Sequence, residues 1–292
     1  MAADLGTAGT RVHDTFAEAD DILGFSLSRL MAEGPEEVLT ETRNAQPAIL
    51  THSVAVHRAL GERIGAPLVA AGHSLGEYSA YVAAGTLTFR DALLAVRRRG
   101  ELMFAAGDAR PGAMAAVLGL THDAVRETLK AVTAGICVPA NFNSPTQVVI
   151  SGDRKAVEEA MAALDEAGAR RVVPLPVSGA FHSPLMLPAA EELRTELEGT
   201  EFQDPAFPVV SNVTASPIVD GARARELLAR QLTAPVRWSE SVETMLEAGT
   251  RSFVEIGPGR ILGGINRQIA RRVPCVSIGR FADLDKLKDE GA

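Results

Sequence analysis

A serine between two glycines, at the end of an apolar run, is the residue of this sequence best suited to covalent chemistry. Ser74 stands in Gly72-His73-Ser74-Leu75-Gly76, directly after Leu68-Val69-Ala70-Ala71. Gly-x-Ser-x-Gly between a strand and a helix is typical of a nucleophile elbow, a sharp turn that presents a serine hydroxyl to an acyl group. We expect both glycines to be required, because side chains there would collide across the turn. A glycine-rich turn without chemistry is the alternative interpretation.

The residue after the serine is placed to stabilise the negative charge that develops during acyl transfer. In an elbow, the backbone N–H of Leu75 points to the position of the oxyanion. The helix that we expect to begin near Glu77 adds its positive end there. The sequence therefore predicts Leu75 as an oxyanion-hole donor.

A serine nucleophile needs a general base, and the sequence holds 6 histidines. Three fall in an early helical region, where we expect them at the surface: His13, His52 and His57. His73 must point away from its neighbour Ser74, and His122 begins a predicted helix. His182 remains as the candidate base, in a loop that follows a predicted strand. Since no Asp or Glu stands out as a third member, a carboxylate triad is not predicted.

Three consecutive arginines follow the elbow on a predicted helix that runs to about Ala106. Its apolar stripe consists of Leu93, Val96, Gly100, Met103 and Phe104. Arg98 points away from the stripe, whereas Arg97 and Arg99 lie on its two borders. Either border arginine can face a cleft, and a solvated helix face is the alternative for all three.

Strands that alternate with helices must position these groups. Predicted strands at 68–71, 207–210, 252–256 and 273–278, with no convincing strand before residue 67, indicate an α/β core with a mainly parallel sheet. Before the elbow, we expect a long helix to open at Pro47. Between the core elements, the order strand-helix-strand-strand-helix-strand is that of a ferredoxin-like unit. We therefore assign residues 1–110 and 178–292 to the core and 111–177 to a small subdomain.

The composition excludes several classes of protein. The 292 residues are 46% hydrophobic and 23% charged, as in an ordinary globular protein, and the net charge of −8 argues against nucleic acid as the main partner. No apolar run approaches a membrane span, and residues 1–10 lack the pattern of a signal peptide, so we expect a cytoplasmic protein. Cys137 and Cys275 have no metal or redox spacing.

Several motifs in order carry a family resemblance. They are Gly72-His73-Ser74-Leu75-Gly76-Glu77-Tyr78, Arg99-Gly100, Asn141-Phe142-Asn143-Ser144-Pro145, Gly179-Ala180-Phe181-His182-Ser183-Pro184 and Glu255-Ile256-Gly257-Pro258-Gly259. From about residue 11 onward, the sequence resembles the malonyl-CoA:acyl-carrier-protein transacylases of fatty-acid and polyketide synthesis. The resemblance implies a core like that of the α/β-hydrolases with a ferredoxin-like insertion.

The resemblance also implies roles for individual residues. Ser74 would be the acylated nucleophile and His182 its base, while Arg99 would hold the malonyl carboxylate. Gln231 matches the position whose backbone carbonyl orients the histidine in this family. The remaining substrate-binding residues would be Phe181, as in malonyl-selective members, and Met103.

The resemblance further implies the partners of the reaction. The substrates would be malonyl-CoA and the phosphopantetheinylated acyl carrier protein, with no cofactor, no metal, no nucleic acid and no membrane. We expect a monomer. The sequence does not distinguish the two pathways or specify the carrier protein.

Family members normally begin with an apolar strand ending in Pro-Gly-Gln-Gly, whose glutamine amide is a second oxyanion donor. The residues given do not contain it, so we expect a start farther upstream or a shortened form with one oxyanion donor. Two other functions compete with malonyl transfer. One is a serine hydrolase or thioesterase that uses the same elbow, and the other is a non-catalytic form that only binds the carrier protein.

Overall fold

The computed structural model describes residues 9–177 and 179–288. The segment in which we expect no signal peptide lies mostly outside the described residues, which exclude 1–8. The loop before His182 is described except for Ser178. Within the described ranges, no helix has both the length and the apolar character needed to cross a membrane.

Helices and strands alternate through most of the chain. The helices are α1 (Gly9–Leu23), α2 (Leu27–Glu33), α3 (Glu36–Thr40), α4 (Thr42–Leu60), α5 (Gly76–Ala83), α6 (Phe89–Ala109), α7 (His122–Leu129), α8 (Arg154–Glu166), α9 (Leu187–Glu198), α10 (Gly221–Arg230), α11 (Trp238–Glu247) and α12 (Ile261–Ile269). Short 3-10 helices lie at Gly61–Ile64, Pro184–Met186 and Phe281–Lys288. The strands are β1 (Ala70–Ala71), β2 (Gly112–Leu118), β3 (Cys137–Ser144), β4 (Gln147–Asp153), β5 (Arg171–Pro174), β6 (Val209–Val210), β7 (Pro217–Ile218), β8 (Phe253–Ile256) and β9 (Cys275–Ile278). The mixed α/β class is thus confirmed.

The strands outside 112–174 pair mostly in parallel. In one sheet β1 pairs in parallel with β6, and β6 pairs antiparallel with β7. In another, β8 and β9 are parallel. The sequence missed β7, because a two-residue strand after a turn at Ala215, where φ is +52°, leaves no alternation to detect.

The strands between residues 112 and 174 form a separate antiparallel sheet in the order β3-β4-β2-β5. Helices α7 and α8 pack on this sheet. Their apolar residues share a buried cluster with the strands, made of Ala115, Val117, Val125, Leu129, Phe142, Val148, Ile150, Val157, Ala160 and Leu164. This sheet therefore has a core of its own.

Helix α4 begins at Thr42, so the predicted opening at Pro47 is wrong. Pro47 lies inside the helix and has no N–H to donate to the carbonyl of Arg43, four residues earlier. Arg97 Nη1 donates to that carbonyl instead, at 2.9 Å. A side chain of α6 thereby replaces the hydrogen bond that the proline removes.

Helices α4 and α6 pack closely against each other, and Gly100 of α6 lies at the point of close approach. A Cβ at Gly100 would lie 2.8 Å from the Thr42 carbonyl oxygen and 2.9 Å from Arg43 Cα. On another face of α4, His52 is buried and its Nε2 lies 3.1 Å from the Gly279 oxygen. The expected surface position of His52 is therefore wrong, because this face of α4 is covered by the segment that follows β9.

Candidate active site

Ser74 lies at the apex of the turn between β1 and α5. Its φ of +52° belongs to the left-handed region that residues with side chains rarely adopt. A Cβ at Gly72 would lie 1.9 Å from the backbone carbon and oxygen of Gly76, so glycine is required there. A Cβ at Gly76 would meet nothing within 4 Å, and the expected requirement for glycine at this position is wrong.

His182 reaches Ser74 from the loop that precedes α9. Its Nε2 lies 2.8 Å from Ser74 Oγ, and only 5% of the residue is exposed. Its Nδ1 lies 2.9 Å from the Gln231 carbonyl oxygen and 3.2 Å from that of Ala234. Because carbonyl oxygens only accept hydrogen bonds, Nδ1 carries the proton and Nε2 is left to accept one from the serine hydroxyl.

Of the two border arginines of α6, Arg99 faces the serine. It is 1% exposed, and its Nη2 donates to Ser74 Oγ and to Gln231 Oε1, both at 3.0 Å. Its Nη1 donates to Gln46 Oε1. Among the described residues, no carboxylate lies within ion-pair distance of this guanidinium. A buried positive charge thus lies beside the candidate nucleophile without a counter-ion in contact.

The neighbouring arginines have other partners. Arg97 pairs with Glu101 at 2.7 Å and supports α4, while Arg98 pairs with Glu192 at the surface. The solvated interpretation is therefore correct for Arg98.

Gln231, at the end of α10, joins the other groups. Besides accepting from Arg99 and His182, it donates from Nε2 to the Ser74 carbonyl at 3.0 Å and to Glu77 Oε2 at 2.7 Å. Both its backbone and its side chain therefore fix the geometry around the serine.

The other predicted site residues lie around this centre. Leu75 precedes α5, and its N–H donates to no acceptor among the described residues. Met103 Sδ accepts a hydrogen bond from Gln46 Nε2 at 3.2 Å, so Met103 and Arg99 share Gln46 as a neighbour. Phe181 is half-buried and packs against the apolar core beside His182.

Three polar residues of the site were not predicted from the sequence. Gln46 comes from α4, Glu77 from α5 and Asn212 from the segment after β6. Asn212 had a usable signal, because it follows a strand predicted to lie in a parallel sheet, and sites form at the carboxyl ends of such strands. Gln46 and Glu77 had none, since their helical spacing does not reveal what they face.

Burial shifts the pKa values of the central groups. Burial, with the nearby positive charge of Arg99 as the second cause, lowers the pKa of His182 to about 3, although the hydrogen bond to the Gln231 carbonyl opposes the shift. Burial also lowers the pKa of Arg99, although Tyr78 and Glu77 oppose that shift. For Glu77, burial raises the pKa to about 7, while hydrogen bonds from Gln231, Asn212 and Ser211 oppose the shift.

The arrangement fits covalent acyl transfer. A serine hydroxyl contacts a neutral imidazole that backbone carbonyls orient, a free N–H lies next to the serine, and a buried cation is within reach of an acidic acyl group. Within residues 9–177 and 179–288, no group of three His, Cys, Asp or Glu residues is placed to hold a metal ion.

Comparison with known proteins agrees with this chemistry. The family model described as "Acyl transferase domain" matches residues 1–281. The malonyl CoA-acyl carrier protein transacylase of Bacillus subtilis (strain 168) is 46% identical over 265 residues, which are 90% of this chain and 84% of the relative. That of Escherichia coli (strain K12) is 45% identical over 271 residues, 92% of this chain and 88% of the relative.

Solved structures match over almost the whole chain. A type II PKS acyl-carrier protein in complex with its malonyl-transacylase gives a TM-score of 0.95 at 45% identity, covering 99% of this chain and 95% of the matched one. An acyl carrier protein S-malonyltransferase from Vibrio cholerae gives a TM-score of 0.94 at 43% identity, covering 98% of this chain and 94% of the matched one. The family resemblance of the motifs is thus confirmed, and the chain belongs to the acyl transferase domain family.

Proposed function

We propose that this chain transfers the malonyl group of malonyl-CoA to the phosphopantetheine thiol of an acyl carrier protein, for fatty-acid or polyketide synthesis. The observation that carries the proposal is Arg99, a buried guanidinium that contacts Ser74 Oγ and has no carboxylate beside it in the described part of the chain. A substrate whose acyl group ends in a carboxylate supplies the missing charge. The names of the similar transacylases support the same substrate and the same partner.

The first half of the proposed reaction loads the serine. Ser74 Oγ attacks the thioester carbonyl while His182 Nε2 takes the hydroxyl proton, and the Leu75 N–H stabilises the resulting oxyanion. Collapse of this intermediate breaks the carbon–sulfur bond, and His182 returns the proton to the sulfur of coenzyme A. The malonyl group is then an ester of Ser74.

The second half reverses these steps with a different thiol. His182 Nε2 takes the proton of the phosphopantetheine thiol, and the sulfur attacks the ester. When the carbon–oxygen bond breaks, the proton returns to Ser74 Oγ. Atoms and charges balance in both halves of the proposed reaction, and the family resemblance implies no cofactor.

Arg99 would select the acyl group. A guanidinium can hold a carboxylate through two parallel hydrogen bonds, which favours a dicarboxylic thioester and fixes its carbonyl beside Ser74. Phe181 and Met103 would complete the walls of the pocket. In the absence of substrate, Gln46 and Gln231 hold the guanidinium in place.

The finer description of the fold belongs to the same proposal. Taken in chain order, the strands of the antiparallel sheet lie in the spatial order 2-3-1-4, with α7 after the first and α8 after the third, which supports a ferredoxin-like subdomain at 111–177. The β1–Ser74–α5 elbow and the parallel β1–β6 pair support a core like that of the α/β-hydrolases, formed by 1–110 and 178–292. A cytoplasmic location and a monomeric state stay predictions of the sequence.

Labelling of Ser74 tests the proposal. Mass spectrometry of the chain mixed with malonyl-CoA should find one malonyl group on Ser74, which acyl carrier protein then removes as malonyl-carrier protein. Ser74→Ala should bind no malonyl group while keeping the circular dichroism of the wild type, because only a hydroxyl is lost. Release of free malonate as the main product would favour a hydrolase, and the absence of labelling would favour a non-catalytic form.

A further inference from the structure

Asn212 is a buried residue that lies beside the Ser74 turn because β6 pairs in parallel with β1. Strand β6 pairs with β1 so that Val210 lies opposite Ala71. Two residues after Val210, Asn212 is level with the first residues of the turn, and it is 0% exposed. The chain therefore places a fully buried amide at the edge of the sheet where the nucleophile stands.

Both polar atoms of this amide bind the backbone of the elbow. Asn212 Oδ1 accepts a hydrogen bond from the Ser74 N–H at 2.6 Å, and Nδ2 donates to the Gly72 carbonyl at 2.7 Å. One planar group thus bridges the start of the turn and its apex. An amide is suited to this task because it offers an acceptor and a donor side by side.

The backbone of Asn212 is itself fixed by two other elements. Its N–H donates to Glu77 Oε2 on α5 at 3.1 Å, and its carbonyl accepts from the Arg237 N–H at 3.0 Å. Glu77 also accepts from Gln231, which in turn donates to the Ser74 carbonyl. The amide is therefore anchored on the same network that orients the base.

The contacts of Asn212 give two neighbouring N–H groups different roles. Ser74 has a positive φ and its N–H donates to Asn212, so this N–H is not free for an oxyanion. The Leu75 N–H, one residue later, keeps no acceptor among the described residues. The same contacts oppose relaxation of the strained serine toward an ordinary backbone conformation.

We propose that Asn212 is a positioning residue for the acylation of Ser74. Its amide holds the elbow in the strained conformation that directs Oγ to His182 and leaves the Leu75 N–H for the oxyanion. The amide touches no reacting atom. The inference rests on the proposed function, in which Ser74 is the acylated residue.

The test replaces Asn212 by its isostere aspartate. Asn212→Asp keeps the acceptor for Ser74 N–H but, when ionised, places a carboxylate against the Gly72 carbonyl in place of a donor. At pH 8 we expect malonyl-CoA to acylate Ser74 about tenfold more slowly or worse, because a buried carbonyl loses its partner. The KM for malonyl-CoA should change little, since Arg99 is intact.

Lowering the pH gives a signature that mere loss of structure does not produce. A protonated aspartate regains a donor for Gly72, so the rate of Asn212→Asp relative to the wild type should rise as the pH falls from 8 to 5.5. The charged and titratable groups around this position are Glu77, Arg99, His182, His73 and Arg237. Burial lowers the pKa of His73, and Glu77 titrates in both proteins. His182, whose pKa is about 3, stays neutral throughout this range. Asn212→Ala, which has no proton to gain, should be slow at both pH values.

Asn44→Asp is the matched control. Asn44 is also a buried amide that donates to a carbonyl, that of Val38, and accepts from a nitrogen, Arg97 Nη1, each at 2.8 Å. It contacts neither Ser74 nor His182. The Arg97 guanidinium can pair with the new carboxylate, so this variant tests the loss of a donor to a buried carbonyl away from the elbow. It should acylate Ser74 at the rate of the wild type.

A fluorophosphonate probe, which reacts with activated serines and has no carboxylate, separates this inference from the proposed function. If the wild type reacts with the probe but not with malonyl-CoA, the proposed function fails, and the probe still decides the role of Asn212. An Asn212→Asp rate equal to the wild type at pH 8 would overturn the inference. So would a relative rate that does not rise at lower pH.

Discussion

Arg99 is the residue proposed to recognise the carboxylate of the substrate. Arg99→Ala removes a charge-assisted contact and leaves Ser74 and His182 in place. We expect malonyl-CoA binding to weaken by about 1.5–3 kcal/mol, whereas acetyl-CoA, which has no carboxylate, should react as well as before or better. Arg99→Lys should restore little, because a point charge cannot form two parallel hydrogen bonds.

The measurement is the ratio of malonyl to acetyl transfer in the wild type and in both variants. Arg98→Ala is the control, because Arg98 lies on the same helix and pairs with Glu192 at the surface. A ratio that stays constant in Arg99→Ala would show that Arg99 does not hold the carboxylate.

The lowered pKa of His182 predicts how the reactivity of Ser74 depends on pH. Burial is the main cause and the positive charge of Arg99 adds to it, so the imidazole stays neutral until the pH approaches about 3. Labelling by a fluorophosphonate should therefore hold its rate from pH 7 to pH 5. With a base of the ordinary pKa, the labelling rate would fall about 25-fold from pH 7 to pH 5.

Arg99→Ala refines the same experiment. Removing a positive neighbour favours the protonated imidazole, so the acid limb of the profile should move to higher pH in this variant. If the wild type loses reactivity with a midpoint near 6.5, the neutral, buried base described here is wrong.

At the scale of residues, the sequence predicted those site residues that a local sequence pattern marks. Ser74 follows from the spacing of its glycines, and His182 from a loop after a strand. Gln231 was accessible only through the family resemblance, because any residue could offer the carbonyl that orients His182, and the contacts of its side chain show no pattern in the sequence. Gln46, Glu77 and Asn212 were missed, since their importance depends on contacts across 53 to 154 residues of chain.

Helices α4 and α6 carry Gln46 and Arg99, so their close approach controls the site. Gly100→Ala would place a methyl group 2.8 Å from the Thr42 carbonyl oxygen, and the two helices would have to separate. We expect a loss of about 1–3 kcal/mol in the free energy of unfolding, measured by urea denaturation.

Gly264→Ala is the matched control for this prediction. Gly264 also lies inside a helix, α12, but a Cβ there meets nothing within 4 Å. Alanine should raise the free energy of unfolding by about 0.4–1 kcal/mol, because it restricts the unfolded chain. Equal effects of the two substitutions would mean that the α4–α6 approach is not limiting.

At the scale of elements, periodicity predicted most helices and strands, and it failed where tertiary contacts replace local rules. Pro47 normally marks the start of a helix, but Arg97 satisfies the carbonyl that the proline leaves open. His52 reads as a polar helix residue, but a backbone oxygen from the far end of the chain is its neighbour. Both partners, Arg97 and the Gly279 carbonyl, are too far along the chain for a local sequence pattern to predict them.

The whole molecule is acidic, and yet arginines cluster near its C-terminal end. Arg267, Arg271 and Arg272 line a cavity of about 190 Å³ beside β9. Arg260, which directly precedes α12, pairs with Asp283 at 3.7 Å. We expect this cluster to attract an acidic carrier protein despite the net charge of −8.

Charge reversal tests the expectation. Arg267→Glu combined with Arg271→Glu should raise the KM for acyl carrier protein and leave that for malonyl-CoA unchanged. The same double reversal at Arg29 and Arg63, which pair with Glu33 and Asp285, changes the net charge equally and should alter neither constant. An equal rise for both substrates would instead indicate that the cluster binds coenzyme A.

The guanidinium of Arg99, which contacts no carboxylate of the described residues, gives the enzyme a different buried charge before and after acylation. With His182 neutral, the positive charge of Arg99 lies in a poorly polarisable interior. Glu77 is the nearby acidic group, but burial raises its pKa to about 7, so it is only partly ionised at neutral pH. Under the proposed function, the carboxylate of a malonyl ester on Ser74 would pair with this guanidinium, so acylation would stabilise the buried charge as well as advance the reaction. We therefore expect the malonyl-enzyme to be stable enough to persist until a carrier protein binds.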